Sequence, residues 1–351
     1  MNYYFPSIIT SLSFSHKTLP ASFHTVNAGK NAIRLLLRSY KLKPKSKVAL
    51  PLYVCDSLKR AVSKEGLEPL YLDLKPDGTF WADYNVELLR KEKPDVIILV
   101  HLYGFLHPDT KFLMDFCKEN NIILIHDAAQ SYGIDEDLLT YSSGVVYSFG
   151  PGKSSTAAGG ALVKGLTNEF YKENCKNVSN FLLQEYKAKF FLKSRVYGYK
   201  FSLMDKLLQK IIYRFKRGDT INAMTDFQLA AAATALDLVK NKSKERGERY
   251  KILEDAAKTN TLLAVPFTDE KGLYFKIVLN VKENVSKFKN YLKENNIPFF
   301  SLSDELLIDK NIHSQYPIFS KNARHFIELS TEASLPLEEM RRVAALLKKY
   351  S

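Results

Sequence analysis

Cysteine is scarce in this chain, with three residues, Cys55, Cys117 and Cys175, among 351. Their odd number and wide spacing exclude a disulfide scaffold, match no metal-ligand pattern and point to a reducing compartment, the cytoplasm. Long hydrophobic runs are missing too: nothing approaches the roughly 18 consecutive apolar residues of a membrane-spanning helix. The apolar, aromatic stretch from Met1 to Phe14 has neither a basic leader nor a small-residue cleavage site, so it reads as mature sequence rather than a signal peptide. Internal repeats and low-complexity tracts are absent. Acidic charge is in deficit, with 38 Asp and Glu against 51 Lys and Arg and a net charge of +13. That excess favours anionic partners. No nucleic-acid motif accompanies it, so nucleic acid is not expected among them.

What is present has a clear rhythm between about residues 25 and 165. The spacing predicts a helix over Lys30–Tyr40, a strand at Lys47–Leu50, a helix from about Val54 to Lys64 and a strand at Pro69–Leu74. Asp95–His101 and Ile122–His126 are continuous apolar runs, as in strands buried on both faces of a parallel sheet, with Lys111–Asn120 as the helix between them. Gly144–Phe149 and Gly160–Lys164 read as two more strands. Helical spacing resumes over Thr225–Val239, and the chain then becomes α+β, with a strand at Tyr274–Val281 and helices at Val285–Asn295 and Leu337–Tyr350. The expected fold class is α/β: a large domain over 1–244 with a mostly parallel, helix-flanked sheet, and a smaller α+β domain over 245–351. In such a sheet ligands gather at the carboxyl ends of the strands.

Two clusters could carry chemistry there. Asp127-Ala128-Ala129-Gln130 follows the strand Ile122–His126, and Ser148-Phe149-Gly150-Pro151-Gly152-Lys153 leaves the next one. A carboxylate at a strand end, with a lysine on a loop loose enough to present its amine, suits pyridoxal 5′-phosphate. The carboxylate keeps the pyridine nitrogen protonated and the lysine forms a Schiff base with the aldehyde. Taken singly, Asp127 is equally a turn former and Lys153 a solvated cation. A third element is Asn27-Ala28-Gly29-Lys30-Asn31 before the first helix, where a glycine-opened N-terminus offers backbone N–H groups to a phosphate.

The order of these motifs makes a resemblance. NAGKNAI, LPLYVC, VHLYG, DAAQSYG, YSFGPGK, GGALV and MTDFQLAAA, followed by the basic RGERYKIL, run in the sequence of the DegT/StrS sugar aminotransferases. Those proteins belong to the fold-type I aspartate aminotransferase superfamily. The likeness spans about residues 24–255, with a weaker echo in LSTEASLPLEEMRRVAALL.

The resemblance implies that Lys153 is the Schiff-base lysine, that Asp127 partners the pyridine nitrogen and that Gln130 contacts the cofactor near its 3-oxygen. It makes Ser148 a donor to the phosphate, with Ala28 and Gly29 as backbone contributors, and places Tyr53 or Cys55 over the ring. It implies a homodimer in which Asn222 reaches the neighbouring subunit's phosphate, one position out of the usual register. It treats His101 as structural. Departures occur where Ala158-Gly159-Gly160 replaces the usual Glu-Gly-Gly and Ile221-Asn222-Ala223 replaces Asn-Tyr-Arg. The activity implied is amino transfer from glutamate or glutamine to a keto group on a nucleotide-linked sugar, in surface polysaccharide or glycan biosynthesis. Its rivals are another pyridoxal-phosphate reaction, such as dehydration, and a non-catalytic binding or membrane-associated protein of the same fold.

Residues 166–217 differ in texture, with twelve Lys and Arg against four Asp and Glu, and read as a basic helical insertion. Within it, Phe201–Arg217 has apolar residues at helical spacing and Lys206, Lys210, Arg214 and Arg217 on another face. Such a helix packs on the body or on a second subunit, lies on an anionic membrane surface, or attracts a nucleotide diphosphate.

Overall fold

The computed structural model describes residues 19–134, 139, 142–150, 152–176, 220–306 and 312–351. Its larger sheet has seven strands: β1 (His24–Val26), β2 (Lys47–Pro51), β3 (Glu68–Leu72), β4 (Val96–Val100), β5 (Ile123–Asp127), β6 (Gly144–Ser148) and β7 (Ala161–Lys164). The spatial order is β1-β7-β6-β5-β4-β2-β3. From β3 to β6 all neighbours are parallel, whereas β7 is antiparallel to β6 and β1 antiparallel to β7. The reversal follows from chain length: the parallel pairs are joined by helical crossovers, while a short loop is enough to return β7 beside β6. Every residue of β4 and β6 is buried, as expected of strands covered on both faces.

Four helices follow the rhythm of these strands: α1 (Gly29–Ser39), α2 (Asp56–Lys64), α3 (Val86–Glu92) and α4 (Thr110–Glu119). On α1, Ala32, Ile33, Leu35, Leu36 and Leu37 are buried. Leu36 lies so close over β6 that a Cβ on Gly144 would meet its methyl groups at 2.9 Å, so glycine is what lets the helix rest directly on the sheet. The charged face of α1 is tied down as well. Glu65 accepts from Arg34 Nε and from Arg38 Nε, each at 2.6 Å.

After β7 comes a short helix, α5 (Asn168–Asn174). The amphipathic helix expected at 201–217 lies outside the described residues. The chain is next described entering α6, a single helix over Asp226–Lys258 that runs unbroken across the boundary expected at 244/245. Thr225 and Gln228 form a reciprocal capping box at its start. The remaining strands, β8 (Leu263–Ala264), β9 (Lys276–Val281) and β10 (Phe326–Ser330), make an antiparallel three-stranded sheet. Helix α7 (Val285–Glu294), three short helical turns and the terminal α8 (Leu337–Lys349) complete it, with α8 packed along α6. Among the described residues no helix is long and apolar enough to cross a membrane.

Candidate active site

The parallel strands β2, β4, β5 and β6 end on one side of the sheet, and a cavity of about 620 Å³ opens there. Its wall includes Ala28, Gly29, Cys55, His101, Asp127, Gln130, Ser148 and Lys153 from the large sheet's loops and helices. Lys276, Phe300, Glu328 and Glu332 face in from the small sheet's side.

Gly29 opens α1 beside the end of β6. A Cβ there would meet the Ser148 Cβ and Oγ at 3.1 Å, so the glycine leaves room for a ligand oxygen between helix and strand. No side chain caps α1. Ser148 Oγ accepts from the Gly150 N–H at 3.2 Å, which leaves its own proton to donate. A helix N-terminus, a glycine and a serine hydroxyl together make a phosphate cradle.

Asp127 terminates β5 on the cavity floor and accepts from the Ala129 N–H at 3.1 Å. Burial raises its pKa, opposed by the charge of Lys153 and by the Ala129 hydrogen bond. A buried carboxylate within electrostatic reach of a lysine is what a protonated ring nitrogen would satisfy. Gln130 accepts through Oε1 from the Tyr103 N–H at 2.7 Å, so the donor end of its amide remains for a ligand.

The loop carrying Lys153 is not loose, contrary to the expectation from its small residues. Thr156 Oγ1 accepts from the Lys153 N–H at 3.0 Å and has the Lys153 and Gly150 carbonyls at 2.7 and 3.1 Å. Phe149 O accepts from Ala157 and Gly159 N–H, and Ser154, Ser155 and Thr156 are fully buried. The Met-Thr-Asp-Phe-Gln stretch braces it from below. Gln228 Nε2 donates to Ala158 O at 3.2 Å, and a Cβ on Gly160 would strike Met224 Cε at 2.6 Å.

Of the two residues expected over a ring, Cys55 lines the cavity and Tyr53 does not. Tyr53 is turned into the core, its ring edge-on to Phe326 and its hydroxyl 3.0 Å from that of Tyr103. A large aromatic gains more from full burial with its hydroxyl paired than from a half-wet wall. Asn222 is also off this chain's cavity wall; its carbonyl accepts from the Asn27 N–H at 2.8 Å. His101 is buried and both its nitrogens are used, Nδ1 by the His107 N–H and Nε2 by His126 Nδ1 at 2.9 Å. Burial lowers its pKa well below the ordinary range, so it stays neutral and serves as scaffold.

Residues 20–348 match the sequence profile of the DegT/DnrJ/EryC1/StrS aminotransferase family. The chain belongs to that family. A curated relative, the 3-oxo-glucose-6-phosphate:glutamate aminotransferase of Bacillus subtilis, is 29% identical over 150 residues, 42% of this chain and 33% of that protein. The chain spans only about a third of the length of the curated relatives it matches. In three dimensions the family likeness covers nearly everything. The sugar aminotransferase CalS13 from Micromonospora echinospora superposes with a TM-score of 0.69 at 14% identity, over 94% of this chain and 88% of that one. The NtdA structure from Bacillus subtilis with bound cofactor PMP gives 0.61 at 19% identity, over 93% and 72%.

Several residues at the cavity escape sequence reasoning. Lys276 and Glu328 pair at 2.6 Å, and Arg246 pairs with Glu332 at 3.0 Å while donating to the Ser154 carbonyl. The one available signal was a glutamate inside FIELS, a strand-like run where a carboxylate needs a partner. Tyr103 was visible only as part of HLYG. It adopts φ 58°, a conformation costly for a bulky residue, and is held there by Gln130 at its N–H and Glu328 at its hydroxyl.

Proposed function

We propose that this chain is a pyridoxal-phosphate-dependent aminotransferase that moves an amino group from glutamate or glutamine to a keto group on a nucleotide-linked sugar. The observation that carries it is the placement of Lys153 and Asp127 in one cavity with the Gly29–Ser148 cradle. These residues fit the cofactor: the cradle takes the phosphate, Asp127 keeps a proton on the ring nitrogen, and Gln130 donates to the ring oxygen. Cys55 packs at the ring's edge of the cavity, in place of an aromatic. When bound, pyridoxal phosphate supplies an aldehyde that captures amines and a ring that accepts electrons. Lys153 Nζ binds that aldehyde at rest and moves the proton at the substrate's amine-bearing carbon. The rigid Thr156 clasp fixes the lysine's backbone, so only its side chain has to swing.

A cytoplasmic setting and a homodimer belong to the same proposal. The three unpaired cysteines support the first. The family resemblance supports the second, with Asn222 of each subunit serving the other's phosphate. The sugar reading is supported by the names of the relatives.

Purified protein should show the visible absorbance of lysine-bound cofactor, be trapped covalently by borohydride, and lose both properties in Lys153→Ala. Glutamate should bleach the absorbance and a keto sugar restore it. A colourless protein that takes up no added cofactor would overturn the proposal.

A further inference from the structure

The small sheet delivers a cation to the cavity that the cofactor does not use. Lys276 opens β9 and Glu328 sits in the middle of β10. Lys276 pairs with Ser330 and Val278 with Glu328, so Lys276 and Glu328 are diagonal neighbours on one face of the ladder. Lys276 Nζ donates to Glu328 Oε2 at 2.6 Å, and the Tyr103 hydroxyl donates to Oε1 at 3.0 Å. The carboxylate is 2% exposed and the lysine side chain 19%, so the pair shows its ammonium to the cavity and hides its countercharge. An ammonium has three donors. Glu328 takes one, and the rings of Phe300 and Phe275, at 5.1 and 5.7 Å, flank the charge without consuming any.

The position of that ammonium limits what it can bind. A Cβ on Gly152 would lie 3.9 Å from Lys276 Nζ, so the charge stands beside the residue that precedes Lys153. An acceptor held there is close to the reacting nitrogen. The phosphate of a sugar phosphate or nucleotide sugar is separated from a ring ketone by much of the pyranose. A carboxylate on the very carbon that bears the amine is not. Phe275, Phe300 and Leu329 hem the spot and limit water, which strengthens a charge-assisted bond.

We infer that Lys276 recognises the α-carboxylate of the amino-acid donor, with Glu328 and Tyr103 as positioning residues that aim its ammonium. The assignment rests on the aminotransferase reading above. It makes the small sheet the sensor for the amino donor and leaves the sugar's phosphate to other parts of the cavity.

The test compares cofactor-loaded wild type with Lys276→Arg and with the double variant Lys276→Met, Glu328→Gln, which removes both charges together and leaves no lone buried carboxylate. Single-turnover bleaching is measured with L-glutamate and with 4-aminobutyrate, which lacks the α-carboxylate. Binding of the unreactive dicarboxylate glutarate is followed by calorimetry. The wild type should prefer glutamate by tenfold or more. The double variant should lose most of that preference and bind glutarate about tenfold more weakly, with its melting temperature and cofactor absorbance retained, and Lys276→Arg should keep part of both. An unchanged preference and unchanged glutarate affinity in the double variant would overturn the assignment. If neither amine reacts although cofactor is bound, the aminotransferase reading fails, and the glutarate titration still decides whether Lys276 is a carboxylate site.

Discussion

A carboxylate on the floor of a cavity walled by Val100, Leu102 and Ala129 loses water that a single backbone hydrogen bond does not replace. Burial therefore raises the Asp127 pKa from its ordinary 3.8, against the pull of Lys153 and of the Ala129 N–H. A carboxyl group raised in the folded state stabilises the fold below its unfolded pKa, and that contribution disappears as pH climbs through the folded value. Above that window the ionised Asp127 is a cost to the cofactor-free protein, and a protonated ring nitrogen removes the cost. Asp127→Asn should therefore leave the cofactor-free protein as stable or more stable at pH 8, with the advantage shrinking toward pH 4. The same change should weaken cofactor binding by about 10- to 100-fold, the worth of a charge-assisted hydrogen bond. Calorimetric melts across that range and a cofactor titration read both effects. A variant that melts lower at pH 8 yet binds cofactor normally would show that Asp127 is only a structural cap.

Helix α1 and the end of β6 meet across Gly29, and the gap there is a property of the two elements rather than of either residue. Alanine is the better helix former by about 1 kcal/mol, so Gly29→Ala should hold or raise the melting temperature. Its Cβ, 3.1 Å from the Ser148 Cβ and Oγ, would push the serine aside and fill the cradle. Cofactor affinity should fall about tenfold, the loss of one hydrogen bond to a charged phosphate. Equal affinity in the variant would place the phosphate elsewhere.

The elements that frame this cradle were readable in the sequence because each carries its own period. The apolar run of β4 and the buried stripe of α1 need no distant partner to be recognised. Strands β1, β8 and β10 were not readable. Two are very short, and Glu328 interrupts the third with a charge that makes sense only beside Lys276, 52 residues earlier. Helix α6 misled for a local reason. Gly247 and the surrounding charges suggested two helices, yet Arg246 and Tyr250 are buried and carry the helix through. In the same way Asp127 and Lys153 could be found from motif order, whereas Lys276 and Glu332 act only through pairs that the fold assembles.

At the scale of the molecule, two sheets from distant parts of the chain share one cavity, and α6 is the strut that touches both. Arg246, in the second half of that helix, donates to the Ser154 carbonyl in the lysine loop and to both oxygens of Glu332 just beyond β10. One guanidinium thus joins the reactive-lysine loop to the small sheet. Arg246→Met should cost about 3–5 kcal/mol, the range for stranding one partner of a buried ion pair. Arg246→Met with Glu332→Gln should recover much of that loss, because no uncompensated charge remains. The sign with pH follows from Glu332, whose pKa burial already raises despite Arg246. Its neutral form is the one the fold favours, so its stabilising contribution is present below the ordinary 4.5 and lost as pH rises through the folded value. Removing Arg246 raises the folded value further, so the deficit of Arg246→Met should be largest at neutral pH and shrink on acidification. The double variant's difference from wild type should lack that slope. Denaturant melts at several pH values measure it, and a deficit of Arg246→Met independent of pH would mean that Glu332 does not depend on Arg246 for its charge. If the deficit behaves as argued, the strut holds the lysine loop and the Lys276–Glu328 pair in register through electrostatics as well as packing, and the cavity between the sheets opens and closes as one unit.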